Sequence, residues 1–158
     1  MKTSFFYFRS FLPFAGMLLI MGYSSGLAQE ITEQDKKNQE EVLKQDPKNY
    51  GALFVVGAYY YNLAVDPHVQ ASNMKLNEYL EKGETLEKKK EDYLKKALPY
   101  FENAYTVAED KDRVKDILKG IYQQLGIIPS ARITDTDLNT KLNEKLSSIQ
   151  FKEIIAQE

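Results

Sequence analysis

The chain has 158 residues, with 23 acidic against 21 basic side chains, a formal net charge of −2 and no cysteine. That length makes one domain, and the charge balance provides no basic face for nucleic acid. The lack of cysteine excludes disulfides, thiol catalysis, cysteine-based zinc sites and lipid attachment through an N-terminal cysteine.

The opening segment reads basic, then apolar, then small. Lys2 and Arg9 come first, the run from Phe11 to Tyr23 follows, and Ser24-Ser25-Gly26-Leu27-Ala28 closes it. This order predicts a secretory signal peptide over residues 1–28, cut after Ala28. The alternative is a membrane anchor. A spanning helix needs about 20 apolar residues, and reaching back to Phe5 would place Arg9 and Ser10 inside it. The expected product starts at Gln29 and is exported, periplasmic or extracellular, with no membrane insertion after cleavage. Without Lys2 and Arg9 it has 19 basic against 23 acidic residues, a net charge of −4.

From Gln29 onward the pattern is helical throughout, with sparse glycine and proline and no sustained alternation. Helix one spans about Thr32 to Gln45 with a narrow apolar stripe, and Asp46-Pro47 ends it. Helix two spans about Asn49 to Ala64 with Leu53, Val56, Tyr60 and Leu63 on its apolar face. Gly57 lies on that face, at a cost of about 1 kcal/mol in helix propensity, which implies close approach of a neighbouring helix. Asp66-Pro67 marks the exit. Val69 to Glu84 holds a short helix, and Gly83 is a predicted break.

Helix three spans about Thr85 to Glu109, through Pro99, because the apolar spacing continues across it. The alternative starts a new helix with Pro99 at its first position. Helix four spans about Lys111 to Leu125, with Gly126 as its stop. Helix five spans about Thr136 to Gln150 or a little beyond, capped by Thr134 to Asp137.

Three stretches now carry a likeness. Leu53-x-x-Val56-Gly57-x-x-Tyr60 resembles the first helix of a tetratricopeptide repeat. Ala97-x-x-x-Phe101-x-x-Ala104 resembles the second helix, and Lys115-x-x-Leu118-Lys119-x-x-Tyr122 is a weaker copy of the first. Tyr60 and Tyr122 are 62 positions apart, against a repeat of about 34 residues. The surplus implies a helical insertion, about residues 65–92. Lys119 departs from the pattern by standing where glycine is usual, and Glu109-Asp110 replaces the usual boundary proline. The run Ala97 to Glu102, followed by Ile121 to Gly126, looks like the exported repeat proteins of Bacteroidetes.

The resemblance implies an all-α, TPR-like stack of about five helices over residues 29–158, with the insertion and a C-terminal capping helix at about 136–150. It implies a core position for Tyr60 and a groove face of Phe54, Ala58 and Tyr61 on helix two, with Asp116, Gly120 and Gln123 as the matching face of helix four. Phe54 and Tyr61 are either a strip for a partner or buried under helix one and the insertion.

Catalytic, cofactor-binding and metal residues are not predicted. His68 is the single histidine and is expected in an exposed loop. The carboxylate pairs lie in lysine-rich stretches, which reads as solvated helix faces. Lys88, Lys89, Lys90, Lys95 and Lys96 interleave with acids, as i,i+4 pairing requires. Asp135-x-Asp137 lacks the glycine and closing glutamate of a calcium loop. The expected function is a protein-interaction scaffold in the envelope, using Phe54, Ala58, Tyr61, Asp116 and Gln123. The alternative is a structural subunit of an envelope assembly, docked through the insertion.

Overall fold

The computed structural model describes residues 30–130 and 134–154, and the predicted signal peptide lies outside them. Ile31–Glu158 is a compact unit of its own. Its described residues form six helices and no strand: α1 (Glu33–Gln45), α2 (Tyr50–Leu63), α3 (Val65–Asn73), α4 (Leu76–Val107), α5 (Asp112–Gln124) and α6 (Asp135–Ser147). The fold is an all-α stack in which successive long helices run antiparallel. Lys36 of α1 meets Tyr60 of α2, Gly57 of α2 meets Phe101 of α4, and Glu102 of α4 meets Tyr122 of α5.

Local chemistry fixes the helix ends. Thr32 and Asp35 form a reciprocal capping box at α1, with Asp35 N donating to Thr32 Oγ1 at 3.1 Å and Thr32 N to Asp35 Oδ2 at 2.9 Å. The Asn49 carboxamide oxygen accepts from Ala52 N at 3.0 Å and starts α2. Thr134 caps α6 by accepting from Asp137 N at 3.1 Å, as its sequence predicts. Gly126 takes φ 68° after α5. Ile127 N then donates to Tyr122 O at 2.8 Å and Gly126 N to Gln123 O at 3.2 Å, a Schellman closure.

The core lies where α2, the second half of α4 and α5 meet. Leu53, Val56, Leu94, Phe101, Leu118, Ile121 and Tyr122 are fully buried there. Gly57 is the closest approach. A Cβ at that position would sit 3.2 Å from three atoms of the Phe101 ring, which is the neighbour that its sequence context calls for. Around this ring, Phe54 stands edge-on at a centroid distance of 5.6 Å and Tyr61 edge-on at 6.4 Å. In α1 no residue is fully buried, so it joins through its edge. Lys36 and Lys96 lie 5.6 and 5.9 Å from the centre of the Tyr60 ring, which stacks on Tyr100 at 6.0 Å. Tyr60 is therefore half-buried, while its counterpart Tyr122 is wholly enclosed.

The core position expected for Tyr60 is thus not met, and four expectations about the helices also need correction. Asp66-Pro67 is not an exit: α2 ends at Leu63, the chain bends at Ala64, and Pro67 sits in the first turn of α3, where a missing N–H costs nothing. Val69 to Glu84 is not one short helix, because α3 ends at Asn73 and α4 starts at Leu76. Gly83 is no break. It is buried inside α4 with the Tyr79 ring folded over it, where a Cβ would lie 2.7 Å from Tyr79 Cδ2. The last helix stops at Ser147, and residues 149–154 lie in neither helix nor strand. Pro99 does lie inside a continuous α4.

Candidate functional site

The predicted groove residues divide by burial. Ala58 and Tyr61 are core residues, 7% and 6% exposed. The Tyr61 hydroxyl is hydrogen-bonded to the Gln124 side chain, and burial raises its pKa above the ordinary value. It also lies 4.0 Å from where a Gly120 Cβ would be. Phe101 of α4 and Gly120 and Gln124 of α5 thus lie against Tyr61. Phe54 is half-buried, and the Arg113 guanidinium sits 4.6 Å from its ring centre. Asp116 is exposed, and half-buried Gln123 donates to Pro129 O at 3.4 Å. What stays accessible on this face is Phe54 under Arg113, with Asp116 one turn further along α5.

At the other side of α5, the Tyr122 hydroxyl donates to Glu102 Oε1 at 2.8 Å, and Lys145 Nζ stands 3.6 Å from the same oxygen. Burial, then the Glu102 acceptor, holds the Tyr122 phenol far above its ordinary pKa. The group ties α4, α5 and α6 together and keeps the phenol protonated. An open cleft of about 600 Å³ lies beside it, lined by Ile127, Ile128, Pro129, Lys141, Glu144 and Lys145.

The acids that titrate abnormally do so in one direction. Glu33, Asp35 and Glu91 are all lowered, first by hydrogen bonds from Lys37, Thr32 and Lys95. Such partners favour the ionised form, whereas a general acid needs its proton held near neutral pH. Among the described residues no group of three or more His, Asp or Glu is arranged to hold a metal ion. His68 is not in a loop. It lies on α3, half-buried, and desolvation followed by the charge of Lys90 lowers its pKa from 6.5. Glu87 and Lys90 of α4 form the ion pair beside it.

The insertion is where the surface becomes apolar. The α2–α3 segment runs out along the first half of α4, making a two-helix arm. Leu76 and Leu80 are 72% and 75% exposed, one helical turn apart on α4. Val69 of α3 is 47% exposed and Tyr79 36%. Lys75, Glu78, Glu81 and Lys82 surround the leucines with both signs of charge, and Glu78 and Lys82 approach to 3.9 Å. In the sequence, Met74 and Tyr79 together with Leu76 and Leu80 suggest the short helix of the insertion, and the alternative docks the chain through an exposed arm of about Leu76 to Lys90, which begins with Leu76 and Leu80. Their spacing of four with no third apolar partner on the same row is the available signal.

Among the described residues no helix is long and apolar enough to cross a membrane. Comparison with known protein families, with curated proteins and with solved structures returns no match.

Proposed function

We propose that this chain is a non-catalytic helical-repeat protein of the tetratricopeptide type, exported by its first 28 residues, that docks a partner protein in the envelope through its arm. The observation that carries this reading is the pair Leu76 and Leu80, exposed on one row at the arm's outer end. Isolated exposed leucines are ordinary, but neighbouring ones on a projecting element mark a contact surface. Burying each would stabilise a complex by about 1.5–3 kcal/mol. The partner is a protein with an apolar patch rimmed by charges of both signs.

A second reading places the partner across α2 and α5. It is supported by Phe54, half-buried under Arg113, with Asp116 exposed nearby. Photocrosslinking in the native cell separates the two. A photoreactive residue replaces Tyr79 in one full-length chain and Asp116 in another. The arm reading expects a discrete adduct from position 79 that disappears when Leu76→Ser and Leu80→Ser are added, and none from position 116. An adduct from position 116 that survives both serines transfers the site to the groove. No adduct from either position contradicts protein docking on both surfaces.

A further inference from the structure

The carboxamide of Asn103 in α4 is engaged in an unusual way. Asn103 is 2% exposed. Its Oδ1 accepts from Lys152 N at 2.9 Å, and its Nδ2 donates to Lys152 O at 2.5 Å. Both bonds go to the main chain of one residue, and the Lys152 side chain stays exposed. A carboxamide carries one acceptor and donors on one plane, like a peptide group. It here does what a neighbouring β-strand does when it exchanges both bonds with one residue.

The bound segment lies past the end of α6 and alternates in burial. Ile149 and Phe151 are half-buried, Gln150 and Lys152 are exposed, and Ile154 turns inward again. Over 149–152 the segment thus lays alternate side chains on the protein surface. Lys48, from the turn between α1 and α2, places its Nζ 5.4 Å from the centre of the Phe151 ring. So two elements far apart in sequence grip this segment, one by its backbone and one by an aromatic side chain.

We propose that this is a peptide-acceptor site. Its ligand is an extended polypeptide segment with apolar side chains at positions one, three and six. In this structure residues 149–154 of the chain itself fill it, and a partner's segment of the same pattern takes their place. Backbone bonding makes the Asn103 contact independent of sequence, while the seats of Ile149, Phe151 and Ile154 set the preference. The tethered segment is an internal competitor, present at an effective concentration of order millimolar. Occupancy by a partner therefore requires high local concentration or prior release of the chain's own segment. The site is separate from the arm, and either can fail without the other.

The test uses full-length protein and a fluorescein-labelled peptide with the sequence of residues 148–154. In the chain carrying Phe151→Ser and Lys152→Pro, the internal segment loses its aromatic ring and the N–H that Asn103 holds. This chain is expected to bind the peptide saturably by anisotropy, and the unaltered chain at least about tenfold more weakly. N-methylating the peptide at its lysine amide, or adding Asn103→Asp, reduces binding by about tenfold, the ratio for one lost hydrogen bond. No saturable binding by the altered chain, or equal binding of the methylated peptide, overturns the proposal. Should the altered chain lose its helical circular dichroism, amide exchange on the native protein decides. Lys152 N–H must exchange more slowly in the unaltered chain than in Asn103→Ala, and equal rates overturn the proposal.

Discussion

The two halves of α4 are one helix under two regimes. From Leu94 to Ala104 its inward residues Leu94, Ala97, Tyr100, Phe101 and Ala104 are buried between α2 and α5. From Leu76 to Lys90 only Gly83 is buried, and two leucines face water. Both halves belong to one continuous α-helix, and only the inner half lacks a backbone donor, at Pro99. What differs is the second and third layer of side chains, and most helical stability comes from such packing rather than from propensity. Salt bridges do not make up the difference. Glu78–Lys82 in the outer half is exposed, and such pairs contribute about 0–1 kcal/mol. The same comparison separates roles: the inner half holds the fold together, and the outer half presents surface.

The sharpest way to break this contrast is at Phe101. Its ring is fully buried against Gly57, Phe54 and Tyr61. Phe101→Ala is expected to cost about 3–5 kcal/mol in denaturant unfolding, close to the whole stability of a domain this size. A loss below about 1 kcal/mol would mean that the core is not centred there. Tyr122→Phe removes the hydroxyl from Glu102 and leaves a half-buried carboxylate with Lys145 as its remaining partner. About 1–2 kcal/mol should be lost, and an unchanged midpoint would show that solvent replaces the bond at no cost.

On the outer half the sign of the experiment changes. Leu76→Ser with Leu80→Ser should leave the unfolding free energy within about 0.5 kcal/mol of the unaltered protein. A large loss would show that the leucines are packed, which would remove the arm as a docking surface. The smallest effect concerns pH. Burial and Lys90 lower the His68 pKa below 6.5, so the unfolded chain binds more protons than the folded one between those values. The contribution is fully present above 6.5 and is lost as pH falls through the folded value. Amides of α3 should therefore lose protection on acidification before those of α2 do, once intrinsic exchange rates are corrected. A simultaneous loss would place His68 in the core regime instead.

How much of this was legible in the sequence depends on the range of the interaction. The helices themselves are local matters, and the Thr134 and Gly126 end signals read correctly. So did the neighbour at Gly57, because a glycine on an apolar face has few other uses. Gly83 was misread by the same logic in reverse. A glycine between charged residues resembles a break, yet Tyr79, one turn earlier, covers it and α4 continues. Pro67 was misread because a proline ends one helix and starts another with the same residue. The groove aromatics could not be assigned from spacing, since Tyr61 is buried by Gln124 and Gly120 from a helix about 60 positions away. The end of α6 was missed for a related reason. Leu142, Leu146 and Ile149 continue a helical row, but Asn103, 49 positions distant, captures the backbone at Lys152.

The most direct measurement is residue-resolved amide hydrogen exchange along α4 in the full-length protein. Protection at Leu94 to Val107 should match global unfolding, and protection at Leu80 to Lys90 should fall to a lower opening free energy, with the step between Lys90 and Leu94. Uniform protection along the whole helix would contradict the division into a packed core and a presenting arm.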